Sequence, residues 1–186
     1  MNRFFIFLII VFFSSCDVKQ PSQKDLVSTY YRGLQKSDFR LVKSVIADSL
    51  TLVEGDYVMQ YSREGFYRHF QWDSVFKPVY KVVSLNDVDD QMVSTISVSS
   101  PKFKFLMNDT LVSKHEFTFE SGKIRHIENK GFIDADWKLW NQQKDTLVNW
   151  VKVNRPKLDG FIHDMTKQGA VNYMTAIEQY QKSKVE

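Results

Sequence analysis

The chain has 186 residues, 43% of them apolar and 15% aromatic, with 25 Lys and Arg against 22 Asp and Glu for a net charge of +3. That balance leaves no basic footprint for nucleic acid, and a single cysteine excludes both a disulfide framework and a cysteine-built metal site. The aromatic residues supply the apolar material for one core held by packing alone.

The first element is an apolar run at residues 4–13, preceded by Asn2 and Arg3 and followed by Ser14, Ser15 and Cys16. A bilayer span needs about 20 apolar residues, so the run reads as a secretory signal over residues 1–15. Phe13-Ser14-Ser15-Cys16 resembles the lipobox of bacterial lipoproteins, with Phe13 where that family commonly has Leu. The resemblance implies cleavage before Cys16, a diacylglycerol on its sulfur and acylation of the new amino terminus. Several acyl chains suffice for stable attachment. The implied location is the cell envelope, on the outer membrane or the periplasmic side of the inner membrane. Polar residues 16–24, with Pro21, read as the lipidated cysteine and a short tether.

From Asp25 the pattern turns helical, with Leu26, Tyr30 and Leu34 on one face. Ser37-Asp38 offers a stop and a new cap, and Phe39, Val42, Val45 and Ile46 form a second, shorter stripe. Strands follow at 50–54 and 57–61 around a Gly55-Asp56 turn. Ser62 caps a third helix carrying Phe66, Tyr67 and Phe70. Four further strands are predicted at 79–85, 91–107 with a break at Pro101, 110–120 and 123–132. In the third of these, Leu111, Ser113, His115, Phe117 and Phe119 alternate with Val112, Lys114, Glu116, Thr118 and Glu120, so one face is buried and the other meets water.

This order, with the phrase YYRGLQKSDFRLVKSVIADSLTLVEGD, resembles the nuclear transport factor 2-like group, which includes SnoaL-like proteins and ketosteroid isomerases. The resemblance covers residues 25–133 and implies an α+β fold: a cone-shaped, curved antiparallel sheet wrapped by N-terminal helices. Residues 134–186 form a C-terminal helical extension packed on the domain. In it Asp134 is expected to cap a helix bearing Trp137, Trp140, Leu147, Trp150 and Val151, and Val171, Met174, Ile177 and Tyr180 mark a last helix. The phrase NRPKLDGFIHDMTKQGAVNYMTAIEQY is similar to tails of envelope members of the group.

Set against the isomerase pattern, Tyr30 falls on the family's oxyanion-binding tyrosine, Glu54 on its proton-shuttling aspartate, and His115 on a second oxyanion donor. The resemblance thus implies a rival reading as an isomerase, dehydratase or cyclase, with Glu54 as general base and Tyr30 as oxyanion donor. Histidine in place of a carboxylic acid and Glu in place of Asp both depart from that pattern. The leading expectation is non-catalytic: a pocket lined by Tyr67, Phe70, Phe117 and His126, with Tyr30 and His115, holding a small apolar ligand, or a sheet surface that binds a protein partner. Homodimerisation through the sheet is a third possibility. No cofactor is called for. No metal site is expected, although His115, His126 and Glu128 on neighbouring strands would offer ligands if all faced inward. There is no Gly-x-Ser-x-Gly elbow and no glycine-rich phosphate loop.

Overall fold

The computed structural model describes residues 20–89 and 91–185; Cys16 and the rest of residues 1–19 lie outside them. Helix α1 (Gln23–Gln35) begins two residues earlier than its apolar stripe indicates, because Ser22 and Asp25 form a reciprocal capping box. Helix α2 (Phe39–Val45) is capped by Asp38. Ile46 then leaves the helical stripe and starts β1 (Ile46–Glu54), which turns through Gly55 into β2 (Tyr57–Ser62). Helix α3 (Arg63–Val75) follows, with the Ser62 hydroxyl accepting from the Gly65 amide at 3.1 Å.

Strands β3 (Val79–Val88) and β4 (Gln91–Ser99) come next, then a one-turn helix α4 (Pro101–Phe105), β5 (Thr110–Glu120) and β6 (Lys123–Ile133). The expected long strand over 91–107 is therefore a strand and a helical turn. Phe103 and Phe105 mimic strand alternation, but Ser100 accepts from the Phe103 amide at 3.1 Å and Pro101 sits at the first helical position, which together start a helix.

The six strands form one sheet in the order β2-β1-β6-β5-β4-β3. All pairings are antiparallel except β1 with β6, which is parallel because α3 carries the chain from the β1–β2 hairpin to the far edge of the sheet. Register shifts at Val82/Ser84, Ser113/His115 and Thr118/Phe119 bend the strands. The inner face packs on α1 to α3 through Leu26, Val27, Tyr30, Val42, Ile46, Leu50, Phe66, Ile96, Phe117 and Ile124.

A second core lies beside the first. Helix α5 (Trp137–Asn154), two 3-10 turns and α6 (Lys167–Lys182) pack on the end of α3 and on α4 through Phe76, Phe105, Leu106, Leu147, Val151, Phe161 and Tyr173. Asp136, not Asp134, caps α5: its carboxylate accepts from the Leu139 amide at 2.8 Å, whereas Asp134 adopts φ 60°. In α6 the buried face is Ala170, Tyr173, Ala176 and Ile177, and Val171 is 38% exposed. The small residues Gly169, Ala170 and Ala176 let α6 approach its neighbours closely, which outweighs the larger side chain at 171. Among the described residues no helix is long and apolar enough to cross a membrane.

Candidate functional site

Between the inner face of the sheet, α1, α3, α4 and the start of α5 lies a cavity of about 460 Å³. Its walls are mainly apolar and aromatic, including Leu34, Leu52, Phe66, Phe70, Ile96, Val98, Leu111 and Ile127. Trp137, Trp140 and Met165 close it from the C-terminal extension, so two of the three α5 tryptophans face the cavity. The third, Trp150, packs edge-on against Tyr180 instead. A groove of about 580 Å³ between α4 and α6 has charged groups only at exposed Lys77, Lys104 and Glu178, whereas the smaller cavity carries buried polar groups.

Tyr30 is buried on α1, its ring set against Tyr31, Phe66 and Phe117 with centroids 5.4, 6.4 and 6.2 Å away. Its hydroxyl borders the cavity and has no hydrogen-bond partner among the described residues. Burial, and then the Asp73 charge, push its pKa up, so it stays a neutral phenol able to donate. Glu54 ends β1, exposed to solvent, and contributes to the rim of the same cavity. The structure thus brings Tyr30 and Glu54 to one cavity, with Glu54 on its wet edge.

His115 also borders the cavity, but both ring nitrogens are engaged within the protein. Nδ1 lies 2.7 Å from the Tyr31 hydroxyl and Nε2 3.0 Å from the Ser113 hydroxyl. Tyr31 in turn lies 3.3 Å from the hydroxyl of fully buried Ser94. Desolvation pushes the His115 pKa down to about 4, so the imidazole is neutral. In either tautomer one nitrogen donates and the other accepts. Neither is left for an oxyanion, so the geometry gives His115 a positioning role for Tyr31 rather than that of a second donor.

Of the four residues expected to line the pocket, Phe70 does. Phe117 sits one layer back, fully buried behind Tyr30 and Tyr31. Tyr67 points away from the cavity: it is 41% exposed and its ring lies tilted against Phe39 at 4.7 Å, because it lies one residue past the inward face set by Phe66 and Phe70. His126 is on the outer face of the sheet. There it neighbours Glu128 at 3.9 Å, and Glu128 pairs with Lys130, which reaches Glu116. Strand alternation puts 126, 128 and 130 on the face opposite Ile127 and Asn129, so His115 and His126 cannot share a metal ion. No metal-ligating cluster occurs among the described residues.

Several polar residues of the cavity are absent from the sequence-based expectation, among them His69, Asp73, Tyr80 and Lys102. On α3, Asp73 follows Phe66 and Phe70 by seven and three residues, a spacing that sets it on the apolar face. Its carboxylate accepts from the Tyr80 hydroxyl at 3.0 Å. His69 stacks between Phe66 and Trp72, and burial lowers its pKa. Lys102, in the single turn α4, is only 8% exposed. Its ammonium lies 4.1 Å from the centre of the Phe76 ring, 4.5 Å from Trp72 and 5.1 Å from Phe103. Burial brings its pKa down to about 8, against the opposing pull of Asp73 and Glu54.

No family model and no curated protein matches the chain. Solved structures do. An NTF2-like protein of unknown function from Cytophaga hutchinsonii is 16% identical, with a TM-score of 0.50 over 62% of this chain and 94% of its own. A protein from Sinorhizobium meliloti named as a polyketide cyclase is 15% identical, with a TM-score of 0.50 over 57% of this chain and 94% of its own. The epoxide hydrolase/cyclase-like enzyme SalBIII, described in pyran ring formation in polyether salinomycin, is 16% identical, with a TM-score of 0.50 over 61% of this chain and 92% of its own. At such identities the likeness is one of fold, and that fold is the α+β cone of the nuclear transport factor 2-like proteins.

Proposed function

We propose that the protein is an envelope lipoprotein, attached to a membrane through acyl chains on Cys16, whose cone cavity binds a small, largely apolar ligand. The observation that carries the binding reading is the cavity itself: about 460 Å³, walled by aromatic and aliphatic side chains, with a few polar groups converging on it. A hydrophobic core without a ligand-binding role would be filled to a packing density that leaves few voids larger than a water molecule. The attachment reading is supported by the lipobox-like residues 13–16.

Two experiments test these parts separately. The neutral apolar dye N-phenyl-1-naphthylamine should bind with enhanced fluorescence, and Val98→Trp, which fills the inner face of β4, should abolish that binding while leaving a cooperative unfolding transition. Equal dye binding by both proteins would place the ligand elsewhere. Mass spectrometry of small molecules that co-purify with the wild type and not with Val98→Trp would then identify the natural occupant. Cys16→Ser should move the protein from the membrane fraction to the soluble one, and unchanged membrane association would refute the anchor.

A second reading, proton-transfer chemistry of an isomerase, dehydratase or cyclase, is favoured by one specific observation. The Tyr30 hydroxyl, without a hydrogen-bond partner among the described residues, shares the cavity with the carboxylates of Glu54 and Asp73. Cyclase-like enzymes among the fold neighbours support the same reading. In it Tyr30 donates to a developing oxyanion and a carboxylate takes the proton. Loss of turnover in Tyr30→Phe with ligand binding retained would favour it over simple binding.

A further inference from the structure

Among the described residues, the amine of Lys102 is the one cationic group of the cavity wall, enclosed by three aromatic rings at 4.1 to 5.1 Å and with no carboxylate within ion-pair distance. We propose that Lys102 is a nucleophile that captures the carbonyl group of an apolar aldehyde or ketone in the cavity as an imine. The inference rests on the cavity being a ligand site and adds the chemical class of ligand.

The argument is one of charge, then of protonation. Asp73 and Glu54 border the same cavity, so an anionic head group meets repulsion, while Lys102 disfavours a cation. A carbonyl is neutral, accepts a hydrogen bond from the amine, and can carry an apolar body against Leu111, Val98 and Trp140. With its pKa near 8, roughly a tenth of the Lys102 amine is neutral at pH 7, against well under a thousandth of an exposed lysine. In the step, the lone pair on neutral Nζ forms a bond to the carbonyl carbon as the π pair moves to oxygen. Both nitrogen-bound protons then leave with that oxygen as water, and a C=N bond remains. Nothing is oxidised or reduced.

The test uses the full chain with trans-cinnamaldehyde and sodium cyanoborohydride, which converts the imine to a stable secondary amine, followed by peptide mapping. Lys102 should be labelled at least ten times faster than the median exposed lysine. Its labelling should rise through a midpoint near pH 8 and be suppressed by N-phenyl-1-naphthylamine. Lys102→Met should lose that adduct; if the variant does not fold, the wild-type map alone decides. If the dye binds while Lys102 labels no faster than surface lysines, the imine proposal is overturned and the binding reading stands. If neither dye binding nor Lys102 labelling occurs, both fail.

Discussion

The buried chain Ser113–His115–Tyr31–Ser94 makes a quantitative prediction about stability and pH. His115 has a folded-state pKa near 4, against about 6.5 for an unperturbed histidine. The folded state therefore binds its proton more weakly than the unfolded state. The stability linked to a neutral His115 is fully present above pH 6.5 and is lost as the pH falls toward 4. A difference of about 2.5 units corresponds to roughly 3 kcal/mol in total, of which about 2 kcal/mol is gone by pH 5. These are upper figures, because one side of the imidazole borders the cavity and water there screens part of the charge. The perturbation is His115→Gln, which keeps a donor and an acceptor but cannot titrate. Urea unfolding of wild type and variant at pH 8, 6 and 5 gives the difference in stability at each pH, and the carboxylates and other histidines cancel in it. Relative to the variant, the wild type should lose 1 to 2 kcal/mol between pH 8 and pH 5. Parallel pH profiles would show that His115 accepts a proton in the folded state without penalty, and the account of it as a neutral, doubly hydrogen-bonded ring would be wrong.

Other substitutions probe the remaining parts of the structure. Leu147→Ala removes a fully buried side chain from the second core and should destabilise by about 2 to 5 kcal/mol; less than 1 kcal/mol in denaturant unfolding would mean the extension is not part of the cooperative unit. Gly169→Ala drives a Cβ into the Asp164 carbonyl oxygen, so the turn before α6 must shift, at a cost of about 1 to 3 kcal/mol; a Tm equal to wild type would refute that close approach. Tyr30→Phe keeps the ring contacts and removes a hydroxyl that has no hydrogen-bond partner among the described residues, so stability should change by less than about 0.5 kcal/mol. A loss above 1 kcal/mol would reveal a partner for that hydroxyl.

The cone was legible where apolar periodicity and turn chemistry agree. Alternation from Leu111 to Phe119 located β5 and its buried face, Gly55-Asp56 located the hairpin, and Ser62 located the start of α3. The misreadings arise where two patterns overlap. Ile46 extends the stripe of α2 yet pairs with Ile124 in the sheet, and residues 101–105 alternate like a strand yet begin with a cap and a proline. At the site, Tyr30 and Phe70 could be placed by helical spacing, and Asp73 could have been found in the same way. Lys102 could not. Its burial depends on Trp72 and Phe76 from α3 and Phe103 from its own turn, and no local signal in Pro-Lys-Phe-Lys-Phe separates it from exposed Lys104.

The extension is part of the cavity rather than an addition to the outside of the cone. Phe76, at the end of α3, packs edge-on to Tyr173 of α6 and also faces the Lys102 ammonium, so the second core sets one wall of the lysine's enclosure. Trp137 and Trp140, at the start of α5, complete the apolar lining, and Trp140 packs on Phe103 at 5.6 Å. Since the matched solved structures leave more than a third of this chain uncovered, the fold likeness cannot carry over what such walls select. On the binding reading proposed above, selectivity for a ligand would reside where the extension meets α3 and α4. Substitutions at Trp140 or Phe76 should alter which ligand binds, whereas those at the remote outer-face pair His126 and Glu128 should leave binding unchanged.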